Sequence, residues 1–122
     1  MVKDPSTPAL RILLVEDNPG DARLIREFLS EAGKVRFELT VVPRLADGMA
    51  RLAMKGFDLA LLDLSLPDSR GIETFLRLQG GAPELPIIVL SGFEDEELAL
   101  RAVREGAQDY LFKGRIEQDL LV

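Results

Sequence analysis

The chain has 122 residues, of which 47% are hydrophobic and 30% are charged, and its formal net charge at pH 7 is −6. This length and composition predict one globular domain with a sizeable core and argue against a second domain. The negative charge, without a basic run longer than a pair, argues against nucleic acid as a direct partner, since phosphate binding favours clusters of Lys and Arg.

Cysteine and histidine are both absent from the chain. Without cysteine there is no disulfide or thiolate metal site, which is compatible with a cytoplasmic protein. Without histidine there is no histidine-based acid–base catalysis, and the chain cannot be its own histidine phosphodonor. Charges interrupt every apolar run, so we expect no membrane span, no signal peptide and a cytoplasmic location.

The first predicted element is a flexible leader over residues 1–9, which contains two prolines. A strand over 11–15 then runs into the acidic pair Glu16-Asp17. A helix is predicted over 21–32, because its apolar residues share one face and a polar cap and a proline precede it.

The middle of the chain holds the most informative strand. An alternating strand over 37–41 is typical of a sheet edge, and a helix is predicted from about 44 to 55. The apolar run over 59–62 predicts a strand buried on both faces, which ends in Asp63 just before a predicted loop over 65–68. A carboxylate that ends an apolar strand is costly unless it has a partner, so Asp63 is the strongest single candidate for a functional residue.

The second half continues the alternation of helix and strand. Its predicted elements are a short helix that begins near 69–71 and breaks at Gly80-Gly81, a strand over 86–90 that leads to Ser91-Gly92, a helix over 94–105, a strand over 109–113 at the other sheet edge, and a last helix from about 115 that is cut short. This order predicts an α/β fold with a parallel sheet covered on both faces by helices. Ligands of such sheets bind at the carboxyl ends of the strands.

Three carboxylates, from Glu16, Asp17 and Asp63, are expected at those strand ends. Their mutual repulsion favours a bound cation, and carboxylate oxygens suit Mg²⁺, so we expect a magnesium site open to a phosphoryl group. An aspartate can itself be the nucleophile that forms an aspartyl phosphate, and Asp63 is the candidate. Phosphoryl transfer also needs a cation and a hydrogen-bond donor, which Lys113 and Ser91 would supply.

Each of these residues also has an ordinary structural interpretation. Taken alone, Glu16 and Asp17 suit a solvated cluster before a helix, and Ser91 suits a turn. Lys113 suits the surface, and Tyr110 suits half-buried packing. All of these interpretations would have to hold together at strand ends in the right order, so a shared site is the better hypothesis.

Four segments of the chain occur in an order and spacing that are typical of one protein family. They are Leu13-Leu14-Val15-Glu16-Asp17-Asn18, Leu61-Leu62-Asp63-Leu64-Ser65-Leu66-Pro67 with Gly71, Leu90-Ser91-Gly92, and Gly106-Ala107-Gln108-Asp109-Tyr110-Leu111-Phe112-Lys113. In this order and spacing they resemble the receiver domain of response regulators, the phosphoacceptor of two-component signalling. The resemblance covers nearly the whole chain from Arg11 onward. It implies a receiver domain over residues 10–122, a doubly wound five-stranded sheet of order 2-1-3-4-5, and a signalling role rather than that of an enzyme.

The resemblance also implies a role for each site residue. Asp63 would receive a phosphoryl group from a histidine kinase or a histidine phosphotransfer protein, and Lys113 would pair with that group. Mg²⁺ would be held by Asp17, Asp63 and the backbone carbonyl of Ser65, with Glu16 acting through water.

A switch is implied as well. The hydroxyl of Ser91 would move to a phosphoryl oxygen and the ring of Tyr110 would turn inward, which would change the surface over residues 94–113. Leu100 lies off the buried stripe of its helix, so this surface is a candidate to bind an output domain or a second copy. Gly114 departs from the family, which usually has proline after its lysine. The short stub after Arg115 suggests a fragment of a larger protein.

Two other interpretations stay open at this stage. A pseudo-receiver would keep the fold as a protein-interaction module without phosphorylation, and the full set of acidic, hydroxyl and lysine residues argues against it. A flavodoxin-like cofactor binder would need a loop that cradles phosphate after the first strand, where Glu16-Asp17 would repel a phosphate.

Overall fold

The computed structural model describes residues 8–33, 36–92 and 95–116. Its strands and helices are β1 (Leu10–Val15), α1 (Pro19–Ala32), β2 (Phe37–Val42), α2 (Leu45–Ala53), β3 (Leu59–Asp63), β4 (Ser65–Leu66), β5 (Ser69–Arg70), α3 (Ile72–Gly81), β6 (Ile87–Ser91), α4 (Glu96–Arg104) and β7 (Asp109–Phe112). Residues 113–116 add a helical turn after β7. None of the helices in these ranges is long and apolar enough to cross a membrane.

The main sheet has the strand order β2-β1-β3-β6-β7, and its neighbouring strands are parallel. When the two-residue strands β4 and β5 are set aside, this is the predicted doubly wound order 2-1-3-4-5, with β2 and β7 at the edges. The strand order reverses at β1, because β2 lies on one side of it and β3 on the other. Parallel strands place their carboxyl ends at one end of the sheet, so the residues that follow β1, β3, β6 and β7 are neighbours.

Helices cover both faces of the sheet, and each face has its own apolar cluster. On one face Leu62 belongs to a cluster with Phe75 of α3. On the other face Leu61 belongs to a cluster with Ile25 of α1 and with Ile116. Consecutive residues of β3 therefore point into opposite buried layers, which is why this strand has an unbroken apolar sequence.

One local prediction is confirmed and another is wrong. The short helix predicted to break at Gly80-Gly81 does end there: α3 runs from Ile72 to Gly81 and its C-cap is Ala82, although neither glycine adopts a positive φ. The predicted loop over 65–68 instead opens a small antiparallel hairpin, β4–β5, in which Ser65 pairs with Arg70. Pro67 lies in the two-residue turn between these strands, where its fixed φ favours a turn.

Other predicted features lie partly outside the described residues. These are the leader, of which only Pro8 and Ala9 are described, the start of the helix predicted from residue 94, and the last helix beyond residue 116.

Candidate functional site

The predicted acidic residues meet where β1 and β3 end. Glu16 and Asp17 directly follow β1, and the backbone N–H of Glu16 donates to the carbonyl of Val42 at 2.9 Å, which continues the ladder with β2. Asp63 is the last residue of β3. Glu16 and Asp63 are buried, with 2% and 7% of their surface exposed, whereas Asp17 is exposed. The structure thus brings together the three carboxylates that the sequence predicts.

Lys113 reaches this cluster from the opposite end of the sequence, just after β7. Its ammonium Nζ lies 2.6 Å from Glu16 Oε1, 2.9 Å from Asp63 Oδ2 and 2.9 Å from Asp21 Oδ2. Only 16% of its side chain is exposed. An ammonium group has three N–H donors, and here each donor has a carboxylate acceptor.

Asp21 is a site residue that the sequence motifs do not indicate, since its position predicts only the start of a helix. It lies in the first turn of α1, whose N-cap Asn18 accepts hydrogen bonds from the backbone N–H groups of Gly20 and Asp21 at 2.8 and 3.1 Å. The signal available in the sequence was its position: an acid in the first turn of a helix that directly follows the acidic pair.

These contacts shift the protonation of three groups. Burial raises the pKa of Glu16 to about 9, with a hydrogen bond to Asp63 adding to the rise and Lys113 opposing it. Burial also disfavours ionisation of Asp63, but hydrogen bonds with Glu16 and Lys113 outweigh it and lower the pKa of Asp63. Burial acts to lower the pKa of Lys113, and its hydrogen bonds to the carboxylates raise it above its usual value. The geometry therefore favours an ionised Asp63 beside a charged lysine.

A divalent cation fits the acidic cluster. One carboxylate oxygen from each of Glu16, Asp17 and Asp63 lies within 4.8 Å of the others. The second oxygen of Glu16, Oε2, is buried and has no hydrogen-bond partner in the described part of the chain. Hard divalent ions prefer such oxygen ligands, so these residues could hold Mg²⁺.

The hairpin β4–β5 fixes the loop beside Asp63. The backbone N–H of Ser65 donates to Asp63 Oδ1 at 2.9 Å, and the N–H of Gly71 donates to the carbonyl of Leu64 at 2.8 Å. Oδ1 of Asp63 is therefore held by the backbone and Oδ2 by Lys113. The carboxylate of the predicted phosphoacceptor has both oxygens oriented.

The two predicted switch residues lie on the neighbouring strands. Ser91 ends β6, is fully buried and donates from Oγ to the carbonyl of Gly92 at 3.2 Å. It pairs in register with Phe112 of β7. Tyr110, in the same strand as Phe112, is half-buried and lines a cavity of about 480 Å³.

The residue after the lysine, Gly114, lies close to the ring of Phe112. A Cβ placed on Gly114 would lie 2.9 Å from Cε1 of Phe112. Any side chain at this position, proline included, requires the ring of Phe112 to shift.

A comparison with known proteins identifies the family. The family model for the response regulator receiver domain matches residues 12–122. The chain belongs to this family. Receiver domains are the signalling phosphoacceptors of two-component systems, and histidine kinases or phosphotransfer proteins phosphorylate them. The family and fold that the sequence motifs indicated are thereby confirmed.

Individual relatives and a solved structure are consistent with this family. This receiver domain is 36% identical over 104 residues to the swarming motility regulation protein RssB of Serratia marcescens and 38% identical over 102 residues to the KDP operon transcriptional regulatory protein KdpE of Escherichia coli. The matches cover 85% and 84% of this chain but 46% and 44% of those proteins, so the chain spans less than half their length. The phosphorylated cyanobacterial phytochrome response regulator RcpA superimposes with a TM-score of 0.74 at 29% identity, over 91% of this chain and 88% of that one.

Proposed function

We propose that this receiver domain, over residues 10–122, accepts a phosphoryl group on Asp63 from a histidine kinase or a histidine phosphotransfer protein. The observation that carries the proposal is the 2.9 Å contact between Asp63 Oδ2 and Lys113 Nζ beside the acidic pair. An ionised carboxylate at the open end of a buried strand is available as a nucleophile. The adjacent ammonium offsets the negative charge that a phosphoryl group brings.

In the proposed reaction, the N–P bond of a phosphohistidine breaks as a bond forms between an oxygen of Asp63 and phosphorus. The histidine nitrogen leaves with the electron pair of the broken bond. Water later hydrolyses the acyl phosphate, which restores the carboxylate of Asp63 and releases inorganic phosphate. The domain therefore acts as a signalling phosphoacceptor that promotes its own phosphorylation and slow dephosphorylation.

Each neighbour of Asp63 has a proposed part in this reaction. Lys113 binds the phosphoryl oxygens, and Ser65 orients the carboxylate through its backbone N–H. Asp17, Asp63 and the carbonyl of Ser65 would hold Mg²⁺, with Glu16 acting through water. When bound there, the metal supplies positive charge next to the phosphoryl oxygens.

The switch is proposed to pass through Ser91 and Tyr110. Strand β6 pairs with β3 so that Asp63 is opposite Leu90, and Ser91 is the next residue. Among the described residues, the hydroxyl of Ser91 donates to the neighbouring carbonyl of Gly92 at a long 3.2 Å, so a phosphoryl oxygen is a competitive acceptor. The ring of Tyr110 then turns inward and changes the surface over residues 94–113. Leu100, which is 40% exposed on that surface, is placed to contact an output domain or a second copy.

The test is incubation with Mg²⁺ and acetyl phosphate, followed by intact-mass detection of a phosphoryl adduct. We expect an adduct that requires Mg²⁺, is labile to hydroxylamine and is absent from Asp63→Ala. Asp58→Ala is the matched control, since Asp58 is an exposed aspartate just before the same strand. An adduct that persists in Asp63→Ala, or no adduct in the unmodified protein together with no detectable Mg²⁺ binding, would overturn the proposal and favour a pseudo-receiver.

A further inference from the structure

The three hydrogen-bond donors of Lys113 are all engaged in the unphosphorylated protein. Their acceptors are carboxylate oxygens of Glu16, Asp21 and Asp63, at 2.6 to 2.9 Å. An ammonium has no fourth N–H to offer. If Lys113 is to bind a phosphoryl group on Asp63, as proposed above, at least one of these contacts has to be exchanged.

The cost of that exchange differs among the three acids. The side chain of Glu16 is fully buried and its Oε2 has no hydrogen-bond partner among the described residues, so losing Lys113 would remove the ammonium contact from a group that water does not reach. Asp63 carries the phosphoryl group itself. The side chain of Asp21 is 36% exposed, so water can replace the ammonium there at little cost.

The local structure at the start of α1 positions Asp21 near Lys113. Asn18 caps α1 by accepting the N–H groups of Gly20 and Asp21, and Pro19 opens the helix. A Cβ at position 20 would lie 3.1 Å from the capping oxygen, so glycine there lets the cap close tightly. The segment Asn18-Pro19-Gly20-Asp21 thus fixes the backbone position from which the side chain of Asp21 extends to Lys113.

We propose that Asp21 is a positioning residue that competes with the phosphoryl group for Lys113. In the unphosphorylated protein Asp21 accepts a hydrogen bond from one N–H of the ammonium. On phosphorylation of Asp63 this hydrogen bond breaks, and the same N–H donates to a phosphoryl oxygen. This inference rests on the proposed function. Its consequence is that Asp21 weakens phosphoryl binding and shortens the life of the aspartyl phosphate.

The first test measures binding of beryllofluoride, a mimic of the phosphoryl group, in the presence of Mg²⁺. Removing the competing charge with Asp21→Asn is expected to tighten binding roughly 3- to 10-fold and to slow loss of phosphate from Asp63 by a similar factor, the scale of one partly exposed ion pair. Asp21→Glu, which keeps the charge, should stay closer to the unmodified protein. Glu31→Gln is the matched control, because Glu31 is an exposed acid at the far end of the same helix.

A second measurement needs no phosphoryl chemistry. The ¹⁵N-labelled ammonium of Lys113 should exchange its protons slowly while all three donors are bonded, and in Asp21→Asn this exchange should become faster. Asp21→Ser serves as a second neutral variant if Asp21→Asn fails to fold.

The outcomes separate the two proposals. If the unmodified protein binds no beryllofluoride and forms no adduct, the proposed function is wrong, whatever the lysine signal shows. If it binds and Asp21→Asn binds no tighter than Glu31→Gln, the function stands and the role of Asp21 is wrong. Unchanged ammonium exchange in the neutral variants would equally contradict the contact on which that role depends.

Discussion

The carboxylate of Asp68 caps a helix that begins 23 residues earlier in the chain. Its Oδ1 accepts the backbone N–H of Leu45 at 2.9 Å, and its Oδ2 accepts that of Ala46 at 3.0 Å. The residue before α2, Arg44, provides no side-chain cap of its own. The hairpin beside the proposed phosphoacceptor therefore supplies the cap that α2 lacks locally, and it ties that hairpin to the helix.

Replacing Asp68 is expected to destabilise the domain. Asp68→Ala leaves two helix N–H groups without their acceptor and should lower the free energy of unfolding by about 1–2 kcal/mol. Asp68→Asn keeps one acceptor oxygen and should lose less. Urea unfolding at pH 7 measures both, with Glu84→Gln as a control for loss of an exposed carboxylate. Equal stability of Asp68→Ala and the control would contradict the capping role.

The same cap predicts a pH dependence. The hydrogen bond from Ala46 lowers the pKa of Asp68; burial opposes this, and the hydrogen bond from Leu45 adds to the lowering. Because the folded pKa is depressed, the contribution is complete above the unfolded pKa of about 4 and is lost as the pH falls through the lower folded value. The stability difference between the unmodified protein and Asp68→Asn should therefore narrow below pH 4. A difference that grows on acidification would contradict this.

Loss of Lys113 should destabilise the domain, because the acidic cluster loses its ammonium partner. Lys113→Met leaves the ionised carboxylate of Asp63 and the side chain of Glu16 buried without their ammonium partner, and we expect the free energy of unfolding at pH 7 to fall by about 3 kcal/mol in metal-free buffer. Mg²⁺ should restore part of this loss and stabilise the variant more than the unmodified protein, since it supplies positive charge to the same oxygens. Thermal unfolding with and without Mg²⁺ measures this, with the exposed Arg26→Met as control. Equal Mg²⁺ effects in both proteins would mean that lysine and metal do not share these acids.

Two helical glycines should respond oppositely to alanine. A Cβ on Gly48 of α2 would lie 2.9 Å from Cγ2 of Val15, which is fully buried, so Gly48→Ala should cost about 1–3 kcal/mol despite its better helix propensity. Gly80 of α3 has nothing within 4 Å of its would-be Cβ, so Gly80→Ala should stabilise by about 0.5–1 kcal/mol. Denaturant unfolding compares the pair. Similar effects at both positions would contradict the close approach of α2 to β1.

The proposed switch can be followed optically. The chain has one tyrosine and no tryptophan, so its intrinsic fluorescence reports Tyr110 with only a weak phenylalanine background. If the half-buried ring turns inward, acrylamide should quench this emission less after beryllofluoride binds. Ser91→Ala should still bind the mimic but show a much smaller change in quenching, because the hydroxyl that moves is missing. A full response in Ser91→Ala would contradict the route through Ser91.

Much of the fold was predictable because it follows from local patterns. The apolar run that ends in Asp63 and the amphipathic face of α1 each reflect burial, which the hydrophobic pattern records directly. The end of α3 at Gly81 was predictable because glycine is a poor helix former. The hairpin β4–β5 was not predicted, because strands of two residues are too short to show the alternation of apolar and polar residues that indicates a strand.

By itself the sequence determined the order of the elements, the strand ends that carry Glu16, Asp17, Asp63, Ser91 and Lys113, and the family to which those motifs belong. The spacing of apolar side chains and the preferences of turn residues depend on a few neighbouring positions, so they can be recognised in the sequence without knowledge of the fold. Only the tertiary structure decided that Asp21 shares Lys113 with Glu16 and Asp63, and that Asp68 caps α2. These contacts join residues 92 and 23 positions apart, and they depend on where the packing of helices on the sheet brings each side chain.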